Sequence, residues 1–281
     1  MSAARFWKCS IDEYHADTTA VSHSGLDLVL EDPALYHWER ILRHPREEKT
    51  AFEEGQRFED ALLGGDGPLG SNLVEIPASV LSASGSKAGH KWEAFERANK
   101  DAGRVLCKRF DPLWRMVQNV KRHDAARELF EAEGERQATI VWHNDRHDVD
   151  VRCRFDFLHY GAEVGVDLKT TRTLGTPEDC RREVEKWGYF RQAALYIDGA
   201  EELHGVRPHF VFVFVSKIPP YRVETFELDD EFLRIGREQN EEALAIYAEC
   251  LKSGEWVPKT FGRIPKLSPS NYLRSSHFYR S

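Results

Sequence analysis

The spacing of apolar residues in the first 65 positions predicts a helical N-terminal part. Ser22 or Ser24 is suited to cap a short helix whose apolar stripe begins at Leu26. Pro33 is suited to open a second helix, because proline is tolerated in the first turn. A third helix is predicted over 50–63, where two consecutive glycines end it.

The next part of the chain mixes loops with helical segments. Residues 64–90 are rich in loop-forming residues, with one predicted strand over 72–76. Apolar positions at helical spacing then predict helices over 91–100 and 112–131.

The pattern changes to strands in the middle of the chain. Alternating apolar and polar positions predict three consecutive strands over 137–143, 148–159 and 163–170. Turn residues separate these strands, so we expect neighbours to pair as antiparallel hairpins. A long helix is predicted from 177 to about 198, where Gly199 ends it.

The last third of the chain predicts two more strands and a helix. The run over 210–215 is almost continuously apolar, as in a strand buried on both faces. A strand over 221–228 and an amphipathic helix over 231–251 follow it. This order predicts one α/β (α+β) domain with a central mixed sheet flanked by helices. Its expected parts are a helical N-terminal part (1–65), the sheet and crossover helix (136–228), and a C-terminal helix with a basic tail (229–281).

Composition excludes several classes of protein. The 281 residues are 41% hydrophobic and 31% charged, enough for one core without an external staple. No window approaches the run of about 20 apolar residues that a membrane span needs. The first residues lack the apolar core of a secretory signal, so we expect a cytoplasmic protein. The five cysteines are scattered, which argues against a disulfide framework, a zinc ribbon or an iron–sulfur cluster.

The formal net charge of −8 disfavours a nucleic-acid partner at first sight, but the charge is unevenly distributed. From residue 252 onward, Glu255 is the single acid among six Lys and Arg residues. Because charges are screened beyond about 10 Å, a locally basic groove remains compatible with DNA binding. Net charge therefore does not decide the matter.

Two of the predicted strands carry the most informative polar residues. Asp167 and Lys169 are two residues apart on one strand and therefore share a face of the sheet. A hairpin around Tyr160 and Gly161 would bring Asp156 close to Asp167. Adjacent carboxylates repel each other, and a divalent cation such as Mg²⁺ reverses that balance. A nearby lysine can orient or help deprotonate a water for attack on phosphorus. The alternative for the Asp-x-Lys triplet alone is an ordinary exposed ion pair.

Glu59 is a third candidate carboxylate. It shares a helical face with Phe58 and Leu62, where an unpaired charge is costly. A metal ligand explains its position, and a boundary residue that reaches solvent is the alternative.

Gln192 and Tyr196 lie at i and i+4 on the helix that follows the Asp-Leu-Lys strand. Glutamine can orient a water or a phosphate, and tyrosine can donate to a phosphate oxygen. Interface packing is the alternative for this pair when it is taken alone.

Together these motifs resemble the PD-(D/E)xK nuclease superfamily, and more narrowly its RecB-like branch with a Q-x-x-x-Y motif. The chain is similar to RecE-like (exonuclease VIII) nuclease domains over nearly its whole length. The stretches that carry the similarity are 14–15, 22–27, 32–36, 153–156, 166–171, 189–199 and 255–258. Two positions depart from the family pattern. Phe155 replaces a proline, and Glu59 replaces a histidine, although a glutamate resembles the arrangement in lambda exonuclease.

The resemblance implies a role for each candidate residue. Asp156, Asp167 and the Leu168 carbonyl would hold Mg²⁺, for which Mn²⁺ can substitute, and Glu59 would complete the site. Lys169 would activate the water, Gln192 would position it or the phosphate, and Tyr196 would support them. Further residues implied to contact DNA are Arg154 and Ser24, as candidates for the 5′ phosphate, and Thr170. A structural ion pair is the alternative for Arg154.

The resemblance also implies an activity and partners. The expected activity is 5′-to-3′ digestion of double-stranded DNA from its ends, which leaves 3′ overhangs for a RecT-like annealing protein. A cyclic homo-oligomer, a trimer or a tetramer, is the expected source of processivity. The alternatives are another RecB-like nuclease, specific for a DNA structure or for single strands, and a DNA-binding module that has lost catalysis.

Overall fold

A seven-stranded mixed sheet is the centre of the fold. The computed structural model describes residues 4–44, 50–161 and 163–269. Its strands are β1 (Arg5–Phe6), β2 (Ala20–Ser22), β3 (Leu73–Glu75), β4 (Val105–Cys107), β5 (Gly134–Asn144), β6 (Val149–His159), β7 (Val164–Thr171), β8 (His209–Ser216) and β9 (Val223–Glu227). The sheet order is β1-β5-β6-β7-β8-β9, with β2 paired to β6, while β3 and β4 form a separate parallel pair.

Helices cover the sheet. They are α1 (Ile11–Ala16), α2 (His23–Glu31), α3 (Pro33–Tyr36), α4 (Thr50–Leu63), α5 (His90–Asp101), α6 (Pro112–Arg122), α7 (Asp124–Glu131), α8 (Pro177–Trp187), α9 (Tyr189–His204) and α10 (Asp230–Ser253). One turn of π-helix, His37–Ile41, follows α3, and a 3₁₀ turn, Ala78–Val80, follows β3. No described helix is long and apolar enough to cross a membrane.

The predicted hairpins are confirmed. β5 pairs with β6, and β6 with β7, in antiparallel register. The β7 strand then pairs in parallel with β8 through the crossover helices, and β9 returns antiparallel to β8. The predicted mixed-sheet α/β architecture is therefore confirmed.

Each face of the sheet packs against its own set of helices. One core joins α2, α8, α9 and α10 to sheet residues such as Phe155 and Phe212. The other core joins α4, α6 and α7 to sheet residues such as Phe157 and Val213. The sheet is thus buried between two helical layers, and this explains the almost continuously apolar sequence of β8.

Several predicted element boundaries were wrong. The helix predicted over 112–131 is two helices, because His123 adopts an extended backbone and its Nδ1 accepts from the Ala126 amide to cap α7. The N-terminal part that was predicted to be helical also supplies β1 and β2 to the sheet. Of the basic tail, Arg274 and Arg280 lie outside the described residues.

The crossover helix was wrongly predicted as one helix that ends before Gly199. The break lies at Gly188, whose φ of +68° ends α8 in the left-handed region that glycine adopts without strain. Gly199 instead lies inside α9, where a Cβ atom would come within 2.5 Å of the Trp142 ring. This glycine therefore permits a close helix–sheet approach and does not end the helix.

Replacing Gly199 with leucine is expected to lower the free energy of unfolding by about 1–3 kcal/mol, because the Trp142 ring must move from a packed core. Urea denaturation measures the change. Glu201→Leu, on the exposed face of the same helix, is the matched control. Equal stability of the two variants would contradict the close approach.

Candidate active site

The candidate residues meet where β6 and β7 separate. The two strands pair only at Phe157–Val166 and Leu158–Gly165, and the next register position would place Asp156 opposite Asp167. There the Leu168 amide donates to Asp156 Oδ2 at 2.6 Å in place of a backbone pair. On the same edge of β6, β2 pairs with residues 150–152 and β7 pairs with residues 157–158. The candidate site lies in the unpaired stretch between them.

The alternation of β6 breaks at the same place. Phe155 packs in the core beside α9, whereas Phe157 packs in the core beside α4. In a regular strand, residues two apart share a face. The pairing with β5 keeps the same register on both sides of the break, at Arg136–Phe157 and Ala138–Phe155, but skips the position between them, where Gln137 faces Asp156. Gln137 itself adopts a φ of +54°, which is rare for a residue other than glycine.

Asp167 is the most buried of the carboxylates, at 2% exposure. Its Oδ1 accepts from Gln192 Nε2 at 2.5 Å. Its Oδ2 forms an ion pair with Lys169 Nζ at 2.6 Å. The structure thus brings together the predicted Asp167, Lys169 and Gln192.

Glu59 reaches the site from the opposite helical layer. It follows the fully buried Phe58 on α4, and its Oε1 accepts from Gln137 Nε2. Burial raises the pKa of Glu59 to about 7, and the carboxylates of Asp60 and Asp167 add to the rise. A pKa this high means that the surroundings disfavour the negatively charged form of the Glu59 carboxyl group.

The pKa values of Asp156 and Lys169 are raised as well. Burial, followed by the charges of Glu59 and Asp167, raises the pKa of Asp156 well above its usual range. Burial would lower the pKa of Lys169, but Asp167, Tyr189 and Asp156 outweigh it and raise that pKa. Lys169 therefore carries a proton at neutral pH in this geometry.

Two tyrosines line the site in different ways. Tyr196, predicted from the Q-x-x-x-Y motif, packs its ring against Phe155 and Phe210 at centroid distances of 5.0 and 5.7 Å. Tyr189, which sequence reasoning missed, places its ring 4.7 Å from Lys169 Nζ. Aromatic residues are frequent in cores, so the sequence offered no signal that singled out Tyr189.

The three residues predicted to contact DNA have different surroundings. Ser24 is exposed in the first turn of α2, where Arg40 Nη2 lies 3.3 Å from its hydroxyl. Thr170 follows Lys169 on β7 and faces Gly55 of α4. Arg154 donates from Nε to Gln137 and from Nη1 to Thr139 and to the Cys9 carbonyl.

The donors of this cluster suit a divalent cation of the Mg²⁺ type. Across the described ranges, no three His, Cys, Asp or Glu side chains are already arranged as a metal-binding group. Asp167 Oδ2 is nevertheless a buried carboxylate oxygen whose ion pair is with Lys169, and the raised pKa values of Glu59 and Asp156 show that the site disfavours their negative charges until a cation is bound. Carboxylates and a backbone carbonyl are the oxygen ligands that such ions prefer. The residues therefore fit the ion in their chemistry.

The comparison with protein families identifies this arrangement. Residues 52–265 match the model of the PDDEXK-like domain of unknown function (DUF3799), and this match spans the carboxylates, Lys169 and Gln192. The chain belongs to this PDDEXK-like family. Nucleases of the PD-(D/E)xK type characteristically use divalent metal ions. A comparison with curated proteins gave no match.

A solved structure shares the fold of this PDDEXK-like domain. The chain is similar to a protein described as a putative exonuclease from Eubacterium rectale, with 15% identity and a TM-score of 0.64. The alignment covers 96% of this chain and 99% of that one. The structure described as SSO0001 aligns with a TM-score of 0.28 and 14% identity over 69% of this chain and 85% of its own, too low to inform the fold.

Proposed function

We propose that this PDDEXK-like protein is a metal-dependent exodeoxyribonuclease that digests double-stranded DNA from 5′ ends. The observation that carries the proposal is the convergence of Asp156, Asp167 and Lys169 at the gap between β6 and β7, with Gln192 bonded to Asp167. The family match supports a nuclease, and the neighbour described as a putative exonuclease is in keeping with end-directed cutting.

Each residue has a role that its contacts support. Asp156, Asp167, Glu59 and the Leu168 carbonyl would hold Mg²⁺ or Mn²⁺, which when bound supplies positive charge to the phosphate and acidifies water. Lys169 holds a proton on Nζ beside Asp167, so it is placed to orient the attacking water and to stabilise negative charge on phosphorus oxygens.

The remaining residues position this machinery. Gln192 fixes the Asp167 carboxylate, and Tyr196 packs behind the site as a buried support. We assign Ser24 and Thr170 to contacts with the DNA backbone. Arg154, the third residue predicted to contact DNA, already donates from Nε and Nη1 to protein groups, and we assign it to support of the site. The Arg40 guanidinium beside Ser24 adds a second donor suited to a phosphate.

The similarity to RecE-like nuclease domains supports a role in recombination. We propose that residues 1–281 act as a single nuclease domain in the cytoplasm, and that the 3′ overhangs serve strand annealing by a RecT-like partner. The insertion of β2 into the main sheet supports one domain, since the N-terminal part is built into it.

Labelled linear duplex DNA tests the direction of digestion. With Mg²⁺ and duplexes labelled at either the 5′ or the 3′ end, we expect 5′ label to be released early as mononucleotide and 3′ label to remain in long strands. Early release of 3′ label would contradict the polarity. Cutting of closed circles would favour a structure-specific nuclease, and tight binding without cutting would favour an inactive DNA-binding module.

A cyclic homo-oligomer, trimer or tetramer, is the assembly we propose, because a ring around DNA accounts for processive digestion. Size-exclusion chromatography with light scattering at micromolar concentration is expected to give three or four times the 32.4 kDa chain mass. A monomer would contradict this assembly.

A further inference from the structure

Gln137 occupies an unusual position inside the sheet. It lies within β5 at the one position between Arg136 and Asn144 that the described pairing with β6 skips, across from Asp156, and it adopts a left-handed φ of +54°. A residue other than glycine in this region costs of order 1–3 kcal/mol unless the surroundings require it. Neither the motifs nor the family similarity singled this residue out.

The Gln137 side chain connects three charged groups. Its Nε2 donates to Glu59 Oε1 and lies 3.5 Å from Asp156 Oδ1. Its Oε1 accepts from Arg154 Nε at 2.7 Å. Arginine only donates, so its bond to Oε1 fixes the orientation of the amide and turns the Nε2 donors toward the two carboxyl groups.

An amide suits this position better than a charged group. Glu59 lies on α4 and Asp156 on β6, so two different elements supply the two carboxyl groups. Their negative charges repel each other. An amide NH₂ group has two donors and no net charge, so it can hold both carboxylates without cancelling the negative charge that attracts a cation. A lysine or arginine here would neutralise that charge.

We propose that Gln137 is a positioning residue that holds Glu59 and Asp156 at the spacing at which they share one divalent cation. Arg154 anchors the amide from behind, and its own bonds to Thr139 and Cys9 hold it in place. The inference rests on the metal site of the proposed function. It explains why an unfavourable backbone conformation is kept inside a strand: this conformation aims the side chain at both carboxylates.

The variant Gln137→Gly separates positioning from folding. Glycine accepts a positive φ without strain, so the thermal stability without added metal is expected to be unchanged or higher. The affinity for Mn²⁺, measured by titration calorimetry without DNA, is expected to fall about 10- to 100-fold. Cleavage should weaken at low Mn²⁺ and recover at saturating Mn²⁺, which a purely structural role would not produce.

Asp148→Gly is the matched control. Asp148 has a φ of +53° in the turn between β5 and β6, so this change relieves the same kind of backbone strain in an exposed turn. Its Mn²⁺ affinity should equal that of the wild type. Equal Mn²⁺ affinity of Gln137→Gly and wild type would overturn the inference. A wild type that binds no Mn²⁺ would overturn it together with the metal site.

The same titrations separate this inference from the proposed nuclease. If the wild type binds Mn²⁺, Gln137→Gly binds it more weakly and neither protein cuts DNA, the positioning role stands and the proposed activity fails.

Discussion

Replacing Lys169 with alanine is expected to lower the rate of DNA cleavage by about three orders of magnitude at saturating DNA. The lysine Nζ lies 2.6 Å from Asp167 Oδ2 and carries a proton, so its loss removes the protonated amine that the proposed function uses to orient the water and stabilise the phosphate oxygens. Removing one preorganised donor from such a site costs about 10²–10³-fold, and the loss of a full charge belongs at the upper end of that range. Initial rates with end-labelled duplex measure the effect.

Lys217→Ala is the matched control for this substitution. Lys217 is also a largely buried lysine in an ion pair, with Glu54 at 3.1 Å, but it lies outside the carboxylate cluster. Its loss should change the rate at saturating DNA by less than about tenfold. A Lys169→Ala protein that melts normally and cuts at more than a tenth of the wild-type rate would contradict the role assigned to Lys169.

Replacing Phe212 with alanine is expected to lower the free energy of unfolding by about 3–5 kcal/mol. Phe212 is fully buried on β8, and its ring lies within 6.0 Å of the rings of Tyr189, Phe210 and Phe226. Removing the ring leaves a cavity in a core that packs on several sides, and the surrounding strands and helices have little freedom to collapse into it. Urea denaturation measures the loss.

The exposed Phe6, on the edge strand β1, is the control for this prediction. Phe6→Ala is expected to change the free energy of unfolding by less than about 1 kcal/mol, because half of its surface already faces solvent. A similar loss in both variants would show that the sheet is not packed as described.

The sequence predicted the core of the site because two local rules hold there. Asp167 and Lys169 share a face because residues two apart on a strand do so. The predicted hairpin is confirmed by the pairing of Phe157 with Val166, and the next position of that register places Asp156 across from Asp167. Glu59 followed from helical spacing beside Phe58. Gln192 was expected on the helix directly after β7, whereas it lies on α9, the second of the two crossover helices, and still reaches Asp167.

The parts that sequence reasoning missed depend on contacts distant in the chain. Gln137 reads as an ordinary strand residue, because its left-handed backbone is imposed by partners such as Glu59 and Arg154 and not by a local glycine or asparagine. Gly199 reads as a helix stop, and only its contact with Trp142 of β5 shows why a glycine is needed within a helix.

The geometry also sharpens the resemblance that the motifs suggested. Phe155 takes the place of the family's proline, and its ring packs in the core against Tyr196 and Phe210. Phe155 and Phe157 pack on opposite faces of the sheet, so the regular alternation of side chains along β6 is interrupted at Asp156, which lies between them in the candidate site. The departure from the family pattern therefore leaves the carboxylate in position.

Anomalous diffraction at the manganese edge, from crystals soaked in Mn²⁺, tests the metal site most directly. We expect a peak about 2.1–2.3 Å from carboxylate oxygens of both Asp156 and Asp167, with Glu59 within reach directly or through a water. The peak should be absent from Asp167→Asn crystals soaked in the same way. A wild-type protein with no peak at the gap between β6 and β7, or with its strongest peak elsewhere, would contradict the account.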